Sequence, residues 1–159
     1  MYGSPIDDRT TTTRRVRRPK DKESLLARLV EEKVFETYRD ALVFAAALGY
    51  SRSAKRSFDQ TSEPIPWSVF SGAGHEALVN MLAVMLTEDF ELLSHDRFGE
   101  RLVTFEEYAN GGLDILAEVL RRADRQSLDV VLDFIMDAEE VKEPREEIEI
   151  EKFASELAW

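Results

Sequence analysis

The sequence predicts an all-α fold, a bundle of about five helices. Apolar residues recur at helical spacing along five segments of the chain, and prolines and glycines cluster between two of them, in residues 62–74. A hydrophobic fraction of 43% in 159 residues is enough for the core of one domain. Two short strands are the only β structure that the pattern allows, one near each end of the chain.

The first two helices follow a basic segment near the N-terminus. An apolar stripe predicts the first helix, which should end near Lys33. The stripe consists of Leu25, Leu26, Leu29 and Val30. The second helix should begin at Thr37, an N-cap with Asp40 three residues later, and should stop at Gly49. Its body, ALVFAAALG, is apolar on nearly every face, which predicts that it is buried.

Three further helices are predicted in the second half of the chain. The third should cover residues 75–86 and the fourth residues 100–123, where Asn110-Gly111-Gly112 could kink or split the helix. The fifth should begin at Ser127 as its cap. The residues expected to face inward are Leu78, Leu82 and Met85 in the third helix and Leu128, Val131, Leu132 and Ile135 in the fifth.

Charge is distributed unevenly along the chain, although the net charge is −11. Residues 1–58 carry thirteen Lys/Arg and eight Asp/Glu, a net of +5, whereas residues 59–159 carry eight and twenty-four, a net of −16. We therefore expect a disordered segment over 1–13, one helical domain over 14–138 and an acidic tail over 139–159. Within that domain a basic arm and two helices (14–58) would precede an acidic three-helix part (59–138).

The basic residues are the candidate DNA-binding site. Arg and Lys neutralise phosphates and recognise guanine edges, so a cluster of them near a terminus is typical of polyanion binding. The candidates are Arg14, Arg15, Arg17, Arg18, Lys20 and Lys22 in the arm, and Arg52, Lys55 and Arg56 in a later loop. The alternatives are a flexible arm that only solubilises the N-terminus and, for the loop, ordinary surface charge.

The order of basic arm, proline, amphipathic helix, turn and apolar helix resembles a ribbon–helix–helix module. In such a module the strands of two chains pair, and their outward side chains enter the major groove. Val16 would face the core while Arg15 and Arg17 point outward together. The match is imperfect, because Val16 is the single apolar residue of the strand and a ribbon usually has more.

Two other segments are candidates for protein contacts. The apolar second helix could be the core of one chain or the seam of a homo-oligomer, with Leu42, Phe44, Ala45 and Leu48 as its self-association residues. Phe153, Leu157 and Trp159 in the acidic tail are candidate docking residues for a partner subunit. The tail could also occupy the basic arm when DNA is absent, or simply keep the protein soluble.

Catalytic motifs are missing, so we expect a protein that is not an enzyme and needs no metal or cofactor. His75 and His95 are twenty residues apart, with no zinc-binding pair on one helix face. Ile150-Glu151-Lys152 lacks the first acid of a nuclease motif, and residues 71–74 lack the lysine of a phosphate-binding loop. Cysteine is absent, and neither a signal peptide nor a membrane span is visible, which favours a cytoplasmic protein.

Four runs of sequence carry a resemblance to a known family: RRVRRPKDKESLL, VFETYRDALVFAAALGYSR, EPIPWSVF and FEEYANGGLDIL. Together they resemble the small proteins associated with Dnd DNA-phosphorothioation systems, prokaryotic defence loci that install or sense sulfur in the DNA backbone. The resemblance covers Arg14 to Ala123. The N-terminal third is also similar, more faintly, to the small E subunit of the Dnd machinery. The family assigns no catalytic residues, so none is transferred to this chain.

The resemblance and the charge pattern together predict a function. We expect a non-enzymatic accessory protein of a prokaryotic DNA-modification or antiviral defence system, which binds DNA through its basic arm and contacts other subunits of that system. The alternative is a scaffold subunit that docks its acidic body or tail onto a partner protein without contacting DNA.

Overall fold

Helices make up most of residues 14–140, the part of the chain that this computed structural model describes. They are α1 (Glu23–Glu31), α2 (Tyr38–Ser51), α3 (Trp67–Ser71), α4 (Glu76–Thr87), α5 (Phe98–Arg122) and α6 (Ser127–Glu140). Strands β1 (Arg15–Val16) and β2 (Ile65–Pro66) form a two-stranded sheet, and short 3-10 turns lie at Lys20–Lys22, Phe90–Leu93 and His95–Arg97. The prediction of a mainly helical bundle with a short N-terminal strand is confirmed. The predicted C-terminal strand and segment 1–13 lie outside the described residues.

The helix signals near the N-terminus are mostly confirmed. The side chain of Thr37 accepts a hydrogen bond from the backbone N–H of Asp40, as the predicted N-cap requires. Helix α1 ends at Glu31, two residues before the predicted end at Lys33. Lys33 itself has the left-handed conformation, with φ of 59°. Gly49 does not stop α2, which continues to Ser51.

The glycines of α2 and α5 are instead where the two helices meet. A Cβ atom at Gly49 would collide with the carbonyl of Tyr108, and one at Gly112 would collide with the carbonyl of Ala45. Helix α5 is continuous from Phe98 to Arg122, so Asn110-Gly111-Gly112 does not split it. Glycine in this helix permits backbone-to-backbone contact and does not break the hydrogen-bonding pattern.

One hydrophobic cluster connects the elements around this helix pair. Its largest fully buried members are Phe70, Phe105, Leu26, Leu29, Leu42, Leu82, Leu113 and Leu116. In α4 the inward residues are Val79, Leu82 and Ala83, whereas Met85 is 54% exposed and was predicted wrongly. In α6 they are Val130 and Val131.

Strand β1 pairs with β2 of its own chain in antiparallel register, Val16 opposite Ile65. Val16 is fully buried, as predicted, and Arg15 opposite Pro66 is exposed. The partner of β1 is therefore a segment of the same chain, whereas the ribbon considered from the sequence would need a second chain at that edge.

An ion pair attaches Arg17, the residue after β1, to the buried carboxylate of Glu106 in the middle of α5. The backbone N–H of Arg17 donates to Oε1 of Glu106 at 2.7 Å, and its guanidinium Nε donates to Oε2 at 2.8 Å. Glu106 is only 3% exposed. Burial raises the pKa of Glu106, and the hydrogen bonds from Arg17 act in the opposite direction.

The glycine contact predicts opposite effects of two alanine substitutions in α5. Gly112→Ala should lower the free energy of unfolding by about 3 kcal/mol or more, because the new Cβ meets backbone that cannot move aside. Gly99→Ala places its Cβ in open space and should leave stability unchanged or raise it by up to about 1 kcal/mol. Urea unfolding measures both, and equal stability of the two variants would contradict the close contact.

The ion pair predicts a pH-dependent loss of stability. Arg17→Ala should cost about 2–3 kcal/mol at neutral pH, because it leaves Glu106 charged and buried without its partner. The cost is below that of a fully buried pair, since the Arg17 side chain is 41% exposed. Arg15→Ala, at an exposed neighbouring position, should change stability by less than about 0.5 kcal/mol.

The pH dependence has a definite sign. A raised pKa means that the folded chain binds the proton of Glu106 more tightly than the unfolded chain does. Removing Arg17 raises this pKa further, so the stability deficit of the variant should shrink as the pH falls toward about 4.3, the ordinary pKa of glutamate. Unfolding curves of wild type and variant at several pH values measure this, and a deficit that grows in acid would contradict it.

Candidate interaction surface

Most basic residues of the predicted DNA-binding arm make contacts inside the protein. Arg18 is 6% exposed, and its guanidinium donates to the carbonyl of Glu63 at 2.6 Å and to the carboxylate of Glu23 at 3.0 Å. Lys22 is equally buried and pairs with Asp114 at 2.7 Å and with Asp21 at 2.8 Å. Burial disfavours the charge of Lys22, but these hydrogen bonds outweigh it and raise the pKa of Lys22. Such side chains hold the fold together.

Arg14 also faces the protein, whereas two residues of the arm face solvent. The carbonyl of Arg14 accepts a hydrogen bond from the N–H of Trp67, and its guanidinium lies 4.6 Å from the ring centre of Phe98. Arg15 and Lys20 are exposed. Neither has a salt bridge to a residue within 14–140.

The second basic cluster lies next to the first, with carboxylates between them. Asp114 of α5 binds both Lys22, at 2.7 Å, and Arg56, at 2.5 Å, so the structure brings the arm and the loop together. Lys55 pairs with Glu107 at 3.2 Å. The surface formed by the two clusters is therefore of mixed charge.

Five of the nine candidate DNA-binding residues are exposed: Arg15, Lys20, Arg52, Lys55 and Arg56. Lys20 and Arg56 line an open cavity of about 510 Å³, together with Asp21 and Asp59. Arg52 approaches Asp137 of α6 at 4.0 Å and lies over the ring of Phe134.

The apolar helix α2 is buried in its own chain. Of its candidate self-association residues, Leu42, Ala45 and Leu48 are between 0% and 7% exposed and belong to the core. Only Phe44 is half-buried, and it packs against Phe35 with ring centres 5.4 Å apart. The pairing with α5 thus accounts for the apolar character of α2 without a second copy. The candidate docking residues Phe153, Leu157 and Trp159 lie outside the described residues.

Helix α6 exposes an apolar surface that the sequence analysis assigned to the core. Leu128, Leu132, Ile135 and Met136 are 46%, 45%, 42% and 60% exposed, and we call them the α6 stripe. The predicted inward positions Leu128, Leu132 and Ile135 are therefore wrong, and Val131 is right. The reason is that apolar residues cover more than half of this helix, and the core can cover only one side.

A row of carboxylates runs beside the α6 stripe. Asp129, Asp133 and Asp137 recur every four residues, each next in sequence to a stripe residue, and they form what we call the acidic row. Helix α6 has five Asp/Glu in all and no Lys or Arg. A hydrogen bond from Arg125 holds the pKa of Asp133 below its ordinary value, so that carboxylate is charged at neutral pH.

A second group of exposed apolar residues lies on α4 and the turn after it. Its members are Met81, Met85, Leu86, Phe90 and Leu93, from 44% to 74% exposed. No charged row comparable to that of α6 accompanies α4. The α6 stripe and the acidic row therefore make the more specific surface.

Two other classes of site are absent from the part of the chain that the structure describes. No group of three or more His, Asp or Glu side chains in residues 14–140 is arranged to hold a metal ion. Within the same residues, no helix combines the length and the apolar character that crossing a membrane requires.

Comparison with known proteins places the chain in a family. A family model described as "DNA sulphur modification system-associated protein 4" matches residues 15–153. No curated protein and no solved structure matches the chain. The match confirms the resemblance to small proteins of Dnd systems, and it extends beyond the segment that carried that resemblance, through α6. Because it spans most of the sequence, this protein belongs to the family of DNA sulphur modification system-associated protein 4.

Proposed function

We propose that this protein is a non-catalytic accessory subunit that binds a partner protein of the DNA sulphur modification system through the α6 stripe. The observation that carries the proposal is the exposure of four apolar side chains on one helix, directly beside the acidic row. Aligned apolar side chains at i, i+4, i+7 and i+8 are the pattern of a helix that lies in a groove of another protein. The family description, an associated protein of a modification system, is consistent with such a role.

Charge determines the kind of partner that fits. A partner groove needs apolar residues opposite the α6 stripe and Lys or Arg opposite the acidic row. A second copy of this chain would fit less well, because two α6 helices packed through their stripes would bring two acidic rows near each other. The cations beside each row, Arg125 and Arg52, already lie against Asp133 and Asp137 of their own chain. We therefore infer a partner with a basic rim around an apolar groove.

The proposal predicts loss of binding from two substitutions in the α6 stripe. Leu132→Ser with Met136→Ser should weaken binding to the cognate partner at least tenfold, because truncation of buried interface residues costs about 1–2 kcal/mol each and about 1.4 kcal/mol equals tenfold. Calorimetric titration of the purified chain against each purified protein of the same modification system measures this. Raising the salt concentration should slow association without abolishing it.

The matched control is Val103→Ser on α5, because Val103 is 42% exposed and belongs to neither apolar surface. It should bind as the wild type does. Equal affinity of the stripe variant and the control for every protein tested would overturn the proposal. So would a wild-type dimer in sedimentation analysis that the stripe variant converts to monomer, since the stripe would then serve a second copy.

DNA contact through the basic residues is a second candidate function. The exposure of Arg15, Lys20, Arg52, Lys55 and Arg56 favours it, because these five side chains could reach phosphates without breaking the ion pairs that contain a buried side chain. Those pairs are formed by three other candidates, Arg17, Arg18 and Lys22.

This second candidate predicts the salt dependence of duplex binding. Five phosphate contacts give a log–log slope of about −4.5. Replacing the five exposed residues by alanine should abolish binding, whereas Arg121→Ala with Arg122→Ala, two exposed arginines at the end of α5, should not. Gel-shift assays in dilute buffer test it, and no retention of DNA there would exclude it and leave the α6 proposal intact.

A further inference from the structure

A cavity of about 340 Å³ lies away from α6, where α3, the 3-10 turn at His95–Arg97 and the start of α5 meet. Its walls combine two buried aromatic rings with polar and charged groups. The lining residues are Trp67, Ser68, Ser71, Glu76, His95, Phe98 and Arg101. The rings of Trp67 and Phe98 meet edge to face at 4.9 Å between centres, so this wall is rigid.

The guanidinium of Arg101 is the buried polar group of this cavity. Arg101 is 5% exposed, and Nη1 donates to the carbonyls of Leu92 and Ser94, the latter at 2.8 Å. Its Nε is buried without a hydrogen-bond partner, and within residues 14–140 no carboxylate pairs with it. A buried positive charge without an anion is costly, which makes this group different from the paired arginines of the fold.

A second guanidinium increases the positive charge. Arg14 lies against the same Phe98 ring, with Cζ at 4.6 Å from the ring centre, and Arg101 lies at 4.9 Å. Nη1 of Arg14 is also buried without a hydrogen-bond partner. Burial and the repulsion from Arg14 both lower the pKa of Arg101. Two like charges held near one ring are stabilised by an anion between or beside them.

We propose that this cavity binds a small oxyanion of the phosphate type, held by Arg101, which lines it. Arg14 is not one of the lining residues, and its charge beside the Phe98 ring adds to the positive potential. The hydroxyl groups of Ser68 and Ser71 and the imidazole of His95 line the same cavity and supply further hydrogen bonds. The aromatic wall of Trp67 and Phe98 accommodates an apolar or planar group attached to that anion, such as the nucleoside of a nucleotide. This inference is independent of the α6 proposal.

The carboxylate of Glu76 competes with a bound oxyanion for the positive charge of Arg101. This carboxylate lines the cavity and stabilises the charge of Arg101 from a distance, although no salt bridge forms between them. A bound oxyanion must share the positive charge with this carboxylate. Glu76→Gln removes the competitor and should therefore tighten anion binding severalfold, which a nonspecific salt effect would not do.

Tryptophan fluorescence of the full chain tests the proposal. The sequence has two tryptophans, and Trp159→Phe leaves Trp67, in the cavity wall, as the single reporter. In that background, inorganic phosphate should give a saturable signal and a rise in melting temperature at matched ionic strength, with chloride as the reference. A nucleoside monophosphate and a dinucleotide with and without a 5′-phosphate then distinguish a free phosphate from a nucleotide as the source.

Two substitutions test the groups that bind, and a third is the control. Arg101→Lys keeps the charge but loses the fork geometry, and it should weaken phosphate binding about tenfold. Arg14→Gln removes a charge near the cavity but outside its lining, and it should weaken binding about threefold. Arg121→Gln, which alters an exposed arginine paired with Glu118, should bind as the parent does. If Arg101→Lys does not fold, Arg14→Gln and Glu76→Gln still test whether phosphate binds in this cavity. Both variants leave the hydrogen bonds of Arg101 to Leu92 and Ser94 in place.

Two results would overturn the inference. One is a response to phosphate no larger than the response to chloride at the same ionic strength. The other is a saturable response that Arg14→Gln and Arg101→Lys leave unchanged, which would place the anion elsewhere on the chain.

Discussion

The close contact of α2 with α5 is the constraint on which the rest of the fold depends. Gly49 of α2 and Gly112 of α5 bring the two backbones together, and no side chain fits between them. Gly111 meets the backbone of Ala54, in the loop after α2. Because the helices are in contact at their backbones, α2 is covered on most faces and can be apolar nearly all round. Helix α5, the longest in the described chain, then offers its other faces to α4, α6 and the segment around β1.

The same constraint explains how the basic N-terminal segment is used. It crosses the surface of α5, which presents Glu106 and Asp114 toward it. The sequence suggests a polyanion-binding arm, but two of its basic residues form ion pairs that attach this segment to α5. Of the six basic residues in this segment, only Arg15 and Lys20 are exposed. The exposed apolar and acidic surface of α6, on which the proposed function rests, lies on a different element.

How much of this could be predicted from the sequence depends on how local the signal is. The helical class, the Thr37 cap and the burial of Val16 follow from residues within a few positions of one another. The partner of Arg17 is 89 residues away, and no local pattern reveals it. The sequence left open a kink or split at Gly111 and Gly112, because helix propensity alone does not show that another backbone approaches them. Apolar residues cover more than half of α6, so the pattern could not show which of them face the core, and the α6 stripe was missed. The cavity beside Phe98 was missed because its lining residues come from several separate segments between residues 67 and 101.

Asp114 couples two separate segments of the chain, because both of its ion pairs share one carboxylate. One carboxylate holds Lys22, just before α1, and Arg56, in the loop after α2. The two cations draw on the same negative charge, so their energetic contributions are non-additive: when one is lost, the other has the carboxylate to itself. Loss of either cation alone leaves Asp114 paired, whereas loss of both leaves an acid on α5 whose two attached segments are no longer tied to it.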